Sequence, residues 1–580
     1  MTFPGSADLN IIVEVYLGAD PTDFPQDWPA PTNFSDRLLR QPIQIRRGRG
    51  QNQKTASAGS CTLWLDNTDG ALTPFLATSN YYPEWDLGVP IRVSVTDVGT
   101  TPPYVRHAGF VADIEAVMVP GTGGKNISAV KVTSAGVLRR ISQGAVVKSG
   151  LRRRIQATEP YSYWALDDGP LSVAGVLTEG IGGPFQASLW NGGTVNPGSA
   201  QLPSWLGTGL ELDGAPEIVV AEATYNTALA PSSRLVLDAT LLVNFGTADA
   251  SPEGQVTSFG ILDRHTNATL TSTRTQCWIM QLDFDNIAGT IAPVLYAAFG
   301  GGATVFTASS GAIAGFDETV PHHIRIDLTQ TGADIAAVGY LDGVAFGSGT
   351  LAGYTLTSFN LSVVRLTHYE ASDPSSSVVY TDIAVWVDAD PPGVVNTADG
   401  ALGFAGELAH DRIDRNCSEE GIPYSGTATV SNECGPQPVA DIVGVLQDTE
   451  EIDHGMLVED FGWGLDYRAS SQRINLEPVI TVDLSTYRTT AGTQADVLTP
   501  VRNDARMRNE WTITRESGSS ATASDPVHIA KRGRYDDSAT VNVENDSRLL
   551  HEAQWRVHEG TFEGLRYQTI PLDLAANLDD

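Results

Sequence analysis

Oxygen-bearing side chains that could bind a hard cation cluster in the segment Asp-Asn-Thr-Asp-Gly at 66–70. An EF-hand loop needs oxygen ligands at positions 1, 3, 5 and 12 and glycine at position 6. With Gly70 as position 6, the first and last ligand positions fall on Leu65 and Leu76, which have no ligand oxygen. Residues 60–65 instead form a short extended run. The segment is therefore predicted to be a turn that ends a strand.

The adjacent histidines His322 and His323 could ligate a metal or transfer protons. They lie in a segment, 322–330, that is predicted to be a strand, where successive side chains point to opposite faces. We therefore expect them to pack in the fold. No nucleophile-elbow, zinc-protease, P-loop or dinucleotide motif occurs in a usable context.

Paired carboxylates could act as the acid and base of a glycosidase. The candidates are Asp167 with Asp168 and Asp283 with Asp285. A chain with 69 acidic residues contains such pairs by chance, and Asp167 and Asp168 fall at a predicted strand end. We expect no enzymatic activity.

Length and charge indicate several globular domains with an acidic surface. The chain has 580 residues, 41% of them hydrophobic, and a net charge of −33. Residues 1–155 carry 16 basic and 13 acidic side chains, residues 156–398 carry 5 and 24, and residues 399–580 carry 15 and 32. Nucleic-acid binding needs clustered Lys and Arg, so it is excluded as the main task, and DNA nearby would be repelled.

The sequence shows few signals for membrane insertion, export or disulfide formation. No apolar run approaches the roughly 18 residues that span a bilayer, and the N-terminus lacks a signal-peptide pattern, so we expect neither a membrane anchor nor export. The four cysteines form no CxxC pair, which argues against zinc and against a disulfide scaffold. Cys417 and Cys434 are close enough in sequence to pair, although reduced thiols are expected in a chain made in the cytosol.

The first two regions have strand periodicity. Apolar and polar residues alternate in half-buried strand patterns at 10–18, 43–51, 60–67, 91–98, 104–119 and 127–136. An arginine-rich run follows to residue 155 and is predicted to be a turn or short helix. From residue 161, strands separated by glycine turns predict a β-sandwich or jelly roll, with strands at 209–214, 234–245, 277–284, 322–330, 335–347, 361–369 and 379–386.

The third region begins after a Pro/Gly/Asp linker at 388–400. Its period predicts one helix over 401–422 and another over 436–455, whose apolar stripe would be Val439, Ile442, Val443 and Leu446. Strand patterns return at 456–469, 478–485 and 509–517.

Four segments occur together near the N-terminus: Gly48–Gly50, Leu65–Gly70, Tyr82–Pro83 and Gly88–Val93. In this order they resemble the first part of minor tail (baseplate hub) proteins of long-tailed bacteriophages, especially those with actinobacterial hosts. Later, Gly464–Arg468 and Asn509–Ser519 resemble the second barrel of that family. Between them, the runs at 163–169, 209–214, 322–343 and 380–386 resemble a laminin-G or concanavalin-like jelly roll.

This resemblance implies a mainly β fold with a few helices. Two hub-type β-barrel domains, at 1–155 and 394–580, would flank an inserted jelly-roll sandwich at 156–393. The implied function is that of a virion protein at the tail tip, assembled in the host cytoplasm, closing the tail tube and presenting the lectin-like module for attachment. DNA would pass through during ejection without specific binding. Expected partners are two further copies of the chain, the distal tail protein, the tape-measure protein and other minor tail proteins.

The jelly-roll resemblance also suggests two ligands. A host cell-surface glycan would stack on aromatic side chains in or near predicted loops, for which Trp190, Trp205, Tyr225 and Tyr296 are the candidates. Alternatively, these rings are buried in a rigid decoration. The fold also often binds one Ca²⁺ ion at its loop rim, although the sequence selects no ligands, and no other cofactor is expected.

Basic side chains are candidates for subunit contacts because acidic neighbours need basic counterparts. The clusters are Arg46, Arg47 and Arg49, and Arg152, Arg153 and Arg154. Two other interpretations remain open: a glycan-binding adhesin whose main role is receptor recognition, and a secreted lectin or hydrolase unrelated to phages.

Overall fold

A computed structural model of the chain describes most of its residues. They are 9–21, 23–48, 55–97, 103–120, 126–173, 175–187, 193–213, 218–244, 255–263, 276–285, 290–299, 303–369, 376–426, 430–472, 500–501, 504–516, 518–564 and 566–567. Trp190, Arg49 and the strand predicted at 478–485 lie outside these ranges.

Strands dominate the described structure, which confirms the prediction of a mainly β protein. In chain order they are β1 (Leu9–Val15), β2 (Thr32–Asn33), β3 (Gln44–Arg46), β4 (Ser60–Asp66), β5 (Pro90–Asp97), β6 (Tyr104–Pro120), β7 (Asn126–Ala135), β8 (Ser162–Trp164), β9 (Glu179–Gly180), β10 (Gln186–Ala187), β11 (Thr194–Ser199), β12 (Gly209–Asp213), β13 (Val219–Thr224), β14 (Arg234–Asn244), β15 (Gln255–Asp263), β16 (Cys277–Asp285), β17 (Thr290–Phe299), β18 (Ala303–Ser309), β19 (Ile313–Ala314), β20 (His322–Thr331), β21 (Asp334–Leu341), β22 (Val344–Leu351), β23 (Leu361–Tyr369), β24 (Ser377–Val387), β25 (Met456–Glu459), β26 (Leu465–Arg468), β27 (Pro500–Val501), β28 (Glu510–Arg515), β29 (Ser520–Ser524), β30 (Asp536–Val541) and β31 (Arg566–Tyr567).

The described residues also form seven α-helices. They are α1 (Val137–Ser142), α2 (Gly150–Gln156), α3 (Val394–Ala401), α4 (Ala409–Glu419), α5 (Ile442–Asp453), α6 (Pro526–Arg532) and α7 (Leu549–Thr561). Among the helices described, none is long and apolar enough to cross a membrane.

The chain divides into two compact units. Unit 1 comprises 1–146, 406–435 and 441–580, and unit 2 comprises 147–405 and 436–440. The breaks after residues 146 and 405 differ from the predicted bounds at 155 and 393. The difference arises because α2 and α3 pack against the strands of unit 2.

Unit 1 begins with an open seven-stranded sheet in the order β2-β1-β5-β6-β7-β4-β3. The order starts and ends at different strands, so the predicted barrel is not closed in the described residues, which corrects the expectation. An isolated bridge between Leu38 and Leu65 brings the segment after β2 against β4 without forming a ladder. Alternating residues of β4, Cys61, Leu63 and Leu65, are buried, as the period of two predicts.

The Asp66–Gly70 segment is a turn that ends β4, which confirms the prediction. Asn67 is buried; its Oδ1 accepts the Leu72 N–H at 2.7 Å and its Nδ2 donates to Thr73 Oγ1 at 3.0 Å. Asp69 forms a two-pronged ion pair with Arg37, at 3.0 and 2.7 Å. Gly70 has φ +74°, a conformation that glycine adopts without steric cost.

The later segments of unit 1 form small sheets and helices. The described sheets are β25-β26, β27-β31 and β29-β28-β30, so the second predicted barrel is also not seen there. One apolar cluster joins the two ends of the unit: Trp28 and Leu138 pack with Leu446 and Trp463. The discontinuous segments therefore share a core.

Both predicted helices of this region need correction. The run 401–422 is not one helix, because α3 ends at Ala401 and α4 begins at Ala409. The second helix begins only after Asp441, whose side chain caps it by accepting the Gly444 N–H at 2.7 Å. Val439 therefore lies outside the helix, whereas Ile442 and Leu446 are buried as predicted.

Unit 2 is a sandwich of two antiparallel sheets, as predicted. One sheet has the order β10-β13-β23-β15-β16-β17-β18 with β19 beside β17, and the other has the order β11-β12-β24-β14-β20-β21-β22 with β8 and β9 beyond β24. Their facing side chains form one large core that includes Trp164, Phe259, Trp278 and Tyr380. The run 335–347, predicted as one strand, is the hairpin of β21 and β22, turning at Asp342 and Gly343 with positive φ.

We expect Asn67→Ala to destabilise the protein by about 1–3 kcal/mol, because the buried Leu72 N–H would lose its acceptor. Urea unfolding would measure the change. The exposed neighbour Thr68 provides the control, since Thr68→Ala removes no buried bond. Equal effects of the two substitutions, or a melting temperature that depends on added Ca²⁺, would contradict the turn assignment.

Candidate functional site

The outer faces of the two sheets of unit 2 differ in what covers them. On the sheet containing β14, β20 and β24, Leu151 and Ile155 of α2 pack on Val236 and Trp386. Helix α3 contacts β20 of the same sheet. The sheet containing β15, β16 and β17 has no described helix packed on its outer face. That face is therefore the candidate binding surface of the unit.

One cross-strand row crosses this face. Strand register places Glu222, Arg365, Gly260, Ile279 and Tyr296 directly side by side on five consecutive strands. Arg365 and Glu222 form an ion pair, so their charges are neutralised locally. The Tyr296 ring is partly buried beside the apolar cluster of Leu262, Cys277, Ile279, Ala298 and Val363.

Polar groups fill the next row on the same face. Ser258 Oγ lies 2.5 Å from Thr367 Oγ1 on the neighbouring strand, and the Gln281 amide donates to Asp283 Oδ1 at 2.8 Å. Thr307 pairs directly with Tyr296 and is exposed. An aromatic ring bordered by hydroxyl, amide and carboxylate groups is the combination with which proteins bind sugars.

The other predicted aromatic residues are placed differently. Tyr225 is only 2% exposed and its hydroxyl donates to Ser162 Oγ at 3.0 Å, so no ring face is open to a sugar. Trp205 is half-buried, and its indole N–H donates to the Ala401 carbonyl at 3.1 Å, which makes it a packing residue for the end of α3. Tyr296 lies within β17 and not in a loop. It was expected near a loop because the strand at 290–299 was not predicted from the sequence. Burial alternates along this strand, but the residues between Ile291, Leu295 and Ala297 are not polar, so the sequence carries no clear alternating signal.

Several predicted interface arginines have partners inside their own unit. In unit 1, Arg46 ends β3 and is exposed, whereas the Arg47 guanidinium lies 4.0 Å from the Phe461 ring centroid and donates to the Glu459 carbonyl.

The second arginine cluster lies on α2 of unit 2, because the predicted turn or short helix is helical there. Arg152 pairs with Asp167 at 2.8 Å, the buried Arg153 donates to the Ala440 carbonyl at 2.6 Å, and Arg154 is half-buried. Arg153 is therefore corrected from an interface residue to a core residue.

The other side chains considered as metal ligands or catalytic groups have structural contacts. His322 and His323 are both buried, and His322 Nδ1 lies 2.7 Å from Asp342 Oδ2. Asp168 accepts the Val176 N–H at 2.8 Å. Within the described residues, no group of three His, Cys, Asp or Glu side chains could hold a metal ion. All four cysteines are buried free thiols, so Cys417 and Cys434 do not pair.

A serine–histidine pair occurs in unit 1, which the sequence did not suggest. Ser134 Oγ lies 2.7 Å from His107 Nε2, and both residues are at most 2% exposed. Burial lowers the pKa of His107 to about 4, and Arg47 adds to the decrease. A nucleophile must reach its substrate, so this buried pair is a core hydrogen bond.

A buried carboxyl group in unit 2 has an altered acidity. Asp382 is 3% exposed and accepts hydrogen bonds from the Tyr163 hydroxyl and from Thr381 Oγ1, the latter at 3.1 Å. Burial raises the pKa of Asp382 to about 6, and the two hydrogen bonds partly oppose this rise. The group lies in the sheet core, where it affects stability.

No protein-family model and no curated protein matches the chain. Solved structures similar to part of it include a legume lectin-like domain from Entamoeba histolytica, at 9% identity over 31% of this chain and 84% of that one, with a TM-score of 0.24. Domain 4 of an extracellular arabinanase from Geobacillus stearothermophilus, solved with arabinotriose, is 15% identical over 41% and 98%, with a TM-score of 0.27.

The chain also resembles the binding domain of botulinum neurotoxin serotype G. The identity is 9% over 41% of this chain and half of that chain, with a TM-score of 0.27. Such low identities and TM-scores define no function for this protein. Its own strand order defines the class: a mainly β protein that contains a two-sheet sandwich.

We expect stability to fall as the pH rises from about 4 to about 6, because the folded state favours protonated Asp382 while the unfolded chain ionises at its ordinary value of 3.8. At 1.36 kcal/mol per pH unit the loss is at most about 3 kcal/mol. Asp382→Asn should remove this part of the pH dependence. Tyr163→Phe, which removes an opposing hydrogen bond, should move the transition to higher pH. Urea unfolding across this pH range tests both, and an unchanged profile for Asp382→Asn would contradict the assignment.

Proposed function

We propose that the chain is a structural component of a bacteriophage tail tip, a minor tail or baseplate hub protein. It closes the tail tube and presents unit 2 as a glycan-binding module for attachment to the host surface. The main support for this proposal is that unit 2 is inserted into unit 1. Chain segments that precede and follow the sandwich in the sequence together form the core of unit 1, and the sandwich has its own core. Assembly and attachment can then reside in different units.

Unit 1 is the assembly unit in this proposal. The resemblance of its N-terminal and C-terminal segments to hub proteins implies three copies around the tail axis. The distal tail protein, the tape-measure protein and other minor tail proteins would be their neighbours. Residues 399–580 carry 32 acidic and 15 basic side chains, a balance that repels DNA and prevents it from adhering during ejection.

Unit 2 is the attachment unit, and its outer face centred on Tyr296 is the proposed sugar platform. Tyr296 offers an aromatic ring, and Gln281 and Thr307 offer hydrogen-bonding groups on the same face. Residues 156–398 contain only 5 basic side chains against 24 acidic ones. Uronate or sialate groups would be repelled by this charge, so the receptor is a neutral glycan.

We expect Tyr296→Ala to weaken glycan binding about tenfold, since the loss of an aromatic contact worth about 1.4 kcal/mol corresponds to that factor. Binding of the purified chain to arrays of neutral and acidic oligosaccharides would measure it. Tyr340→Ala is the matched control, because Tyr340 is half-buried on β21 of the other sheet. Equal binding by Tyr296→Ala and the wild type would refute the platform, and preference for acidic sugars would refute the glycan class.

The tail-tip location is tested by immunogold electron microscopy with an antibody against residues 160–392. We expect gold at the tip of intact phage tails. Labelling of denatured tails alone would show that the module is enclosed and not available for attachment. Absence of the protein from virions altogether would overturn the proposal in favour of a protein unrelated to phages.

A further inference from the structure

An exposed apolar projection lies between β4 and β5 in unit 1. Four large side chains within residues 73–88, here called the knob, point into solvent: Phe75 is 79% exposed, Leu87 60%, Tyr82 49% and Leu76 38%. Isolated exposed apolar residues are normal, but a contiguous group on one loop marks an interaction site.

The knob is held rigidly at its base. Leu72 is fully buried, and the indole N–H of the buried Trp85 donates to the Leu72 carbonyl at 3.0 Å. The Ser79 hydroxyl donates to the Ala71 carbonyl at 2.5 Å. Trp85 also packs on Phe34, with ring centroids 5.6 Å apart. These contacts fix the loop without covering its tip.

Phe75 adopts an unfavourable backbone conformation while its ring remains in solvent. Its φ is +62°, which costs energy for a bulky residue with a side chain. Strained residues of this kind cluster at functional sites. Burial of the Phe75 ring in a partner would contribute favourable free energy that offsets the conformational cost of the positive φ.

The same unit contains a concave site, with both apolar and charged residues in its lining, that could accept the knob. This site, here called the socket, has a volume of about 420 Å³. Its apolar lining includes Met456, Val458 and Phe461 of the β25-β26 hairpin, together with Ala56. Its size falls in the range of ligand-binding pockets, and Phe461 is 42% exposed within it.

We propose that the knob of one copy inserts into the socket of a second copy of this chain. Glu84 and Asp86 are the charged residues of the knob, and the socket is lined by Arg47 and Arg468 together with Glu459, Asp460 and Asp466.

The three acidic residues that line the socket have internal partners that reduce their effect on an acidic knob: Glu459 accepts the Gly59 and Leu138 N–H groups, each at 2.9 Å. Asp460 accepts the Gly462 and Gly464 N–H groups, each at 2.7 Å, and Asp466 lies 3.4 Å from Arg468. A carboxylate of the knob would therefore interact more favourably with Arg47 than with these acidic residues.

The knob and the socket are different surfaces, so the contact is heterologous. Each copy then offers one knob and one socket, and such contacts close into a ring when the rotation between copies permits it. This inference rests on the proposed function, because it assigns the interface by which the hub copies would associate. Of the arginines predicted to contact another subunit, only Arg47 belongs to this proposed interface.

Light scattering after size-exclusion chromatography of the full chain tests the contact with two variants. Phe75→Asp removes the knob and Phe461→Asp removes the socket, and each should convert the wild-type ring to a monomer. Mixing the two variants should give a 1:1 dimer, because one intact knob and one intact socket remain. Val527→Asp is the control, since Val527 is 77% exposed on α6 of the same unit and should leave the ring unchanged.

The outcomes separate this inference from the proposed function. Rings that persist in both variants would overturn the knob–socket contact and leave ring assembly intact. Monomeric variants that fail to pair on mixing would also overturn it, in favour of a contact between identical surfaces. A monomeric wild type would overturn both the ring and the contact, while glycan binding by unit 2 is measured separately. Unfolding temperatures equal to that of the wild type show that a loss of assembly is not a loss of folding.

Discussion

The carboxylate of Glu459 is the constraint on which the discontinuous unit 1 depends. One of its oxygens accepts the Gly59 N–H and the other the Leu138 N–H, each at 2.9 Å. The strand that carries Glu459 is thereby joined to segments about 400 and 321 residues earlier in the chain. Glycine at position 136 leaves the space that the carboxylate fills, since a Cβ there would collide with it. Burial raises the pKa of Glu459, and its two backbone hydrogen bonds oppose the rise.

The sandwich has a comparable centre in the ion pair of Asp238 with Arg325. Both side chains are buried, and the two bonds between them are 2.5 and 2.6 Å. Burial raises the pKa of Asp238, but Arg325 and then His323 lower it to about 2, so the carboxylate stays charged. Arg325 also donates to the Pro392 carbonyl and to Thr397, which secures the start of α3 on β20. Loss of either partner would leave a buried charge unpaired, which typically costs about 3–5 kcal/mol.

Glu459 in unit 1 and the Asp238–Arg325 pair in unit 2 belong to different units, to which different tasks are proposed. Each unit has its own buried polar centre and its own apolar core. In the proposed function, the low number of basic residues in unit 2 is the reason for expecting a neutral glycan.

Local sequence patterns determined many of the strands, the turn after β4 and the mainly β class, because alternation and turn chemistry act over a few residues. They missed β17, whose residues do not alternate between apolar and polar. The same patterns could not show that Tyr225 is buried, that α3 packs on the sandwich or that the first sheet stays open. The candidate binding row was also hidden, because it joins Glu222, Arg365, Ile279 and Tyr296 from four different strands. Cross-strand neighbours are set by strand order and register, which long-range packing decides. The sequence by itself therefore determined the mainly β class and many of the strands, whereas only the tertiary structure decided which side chains share a face.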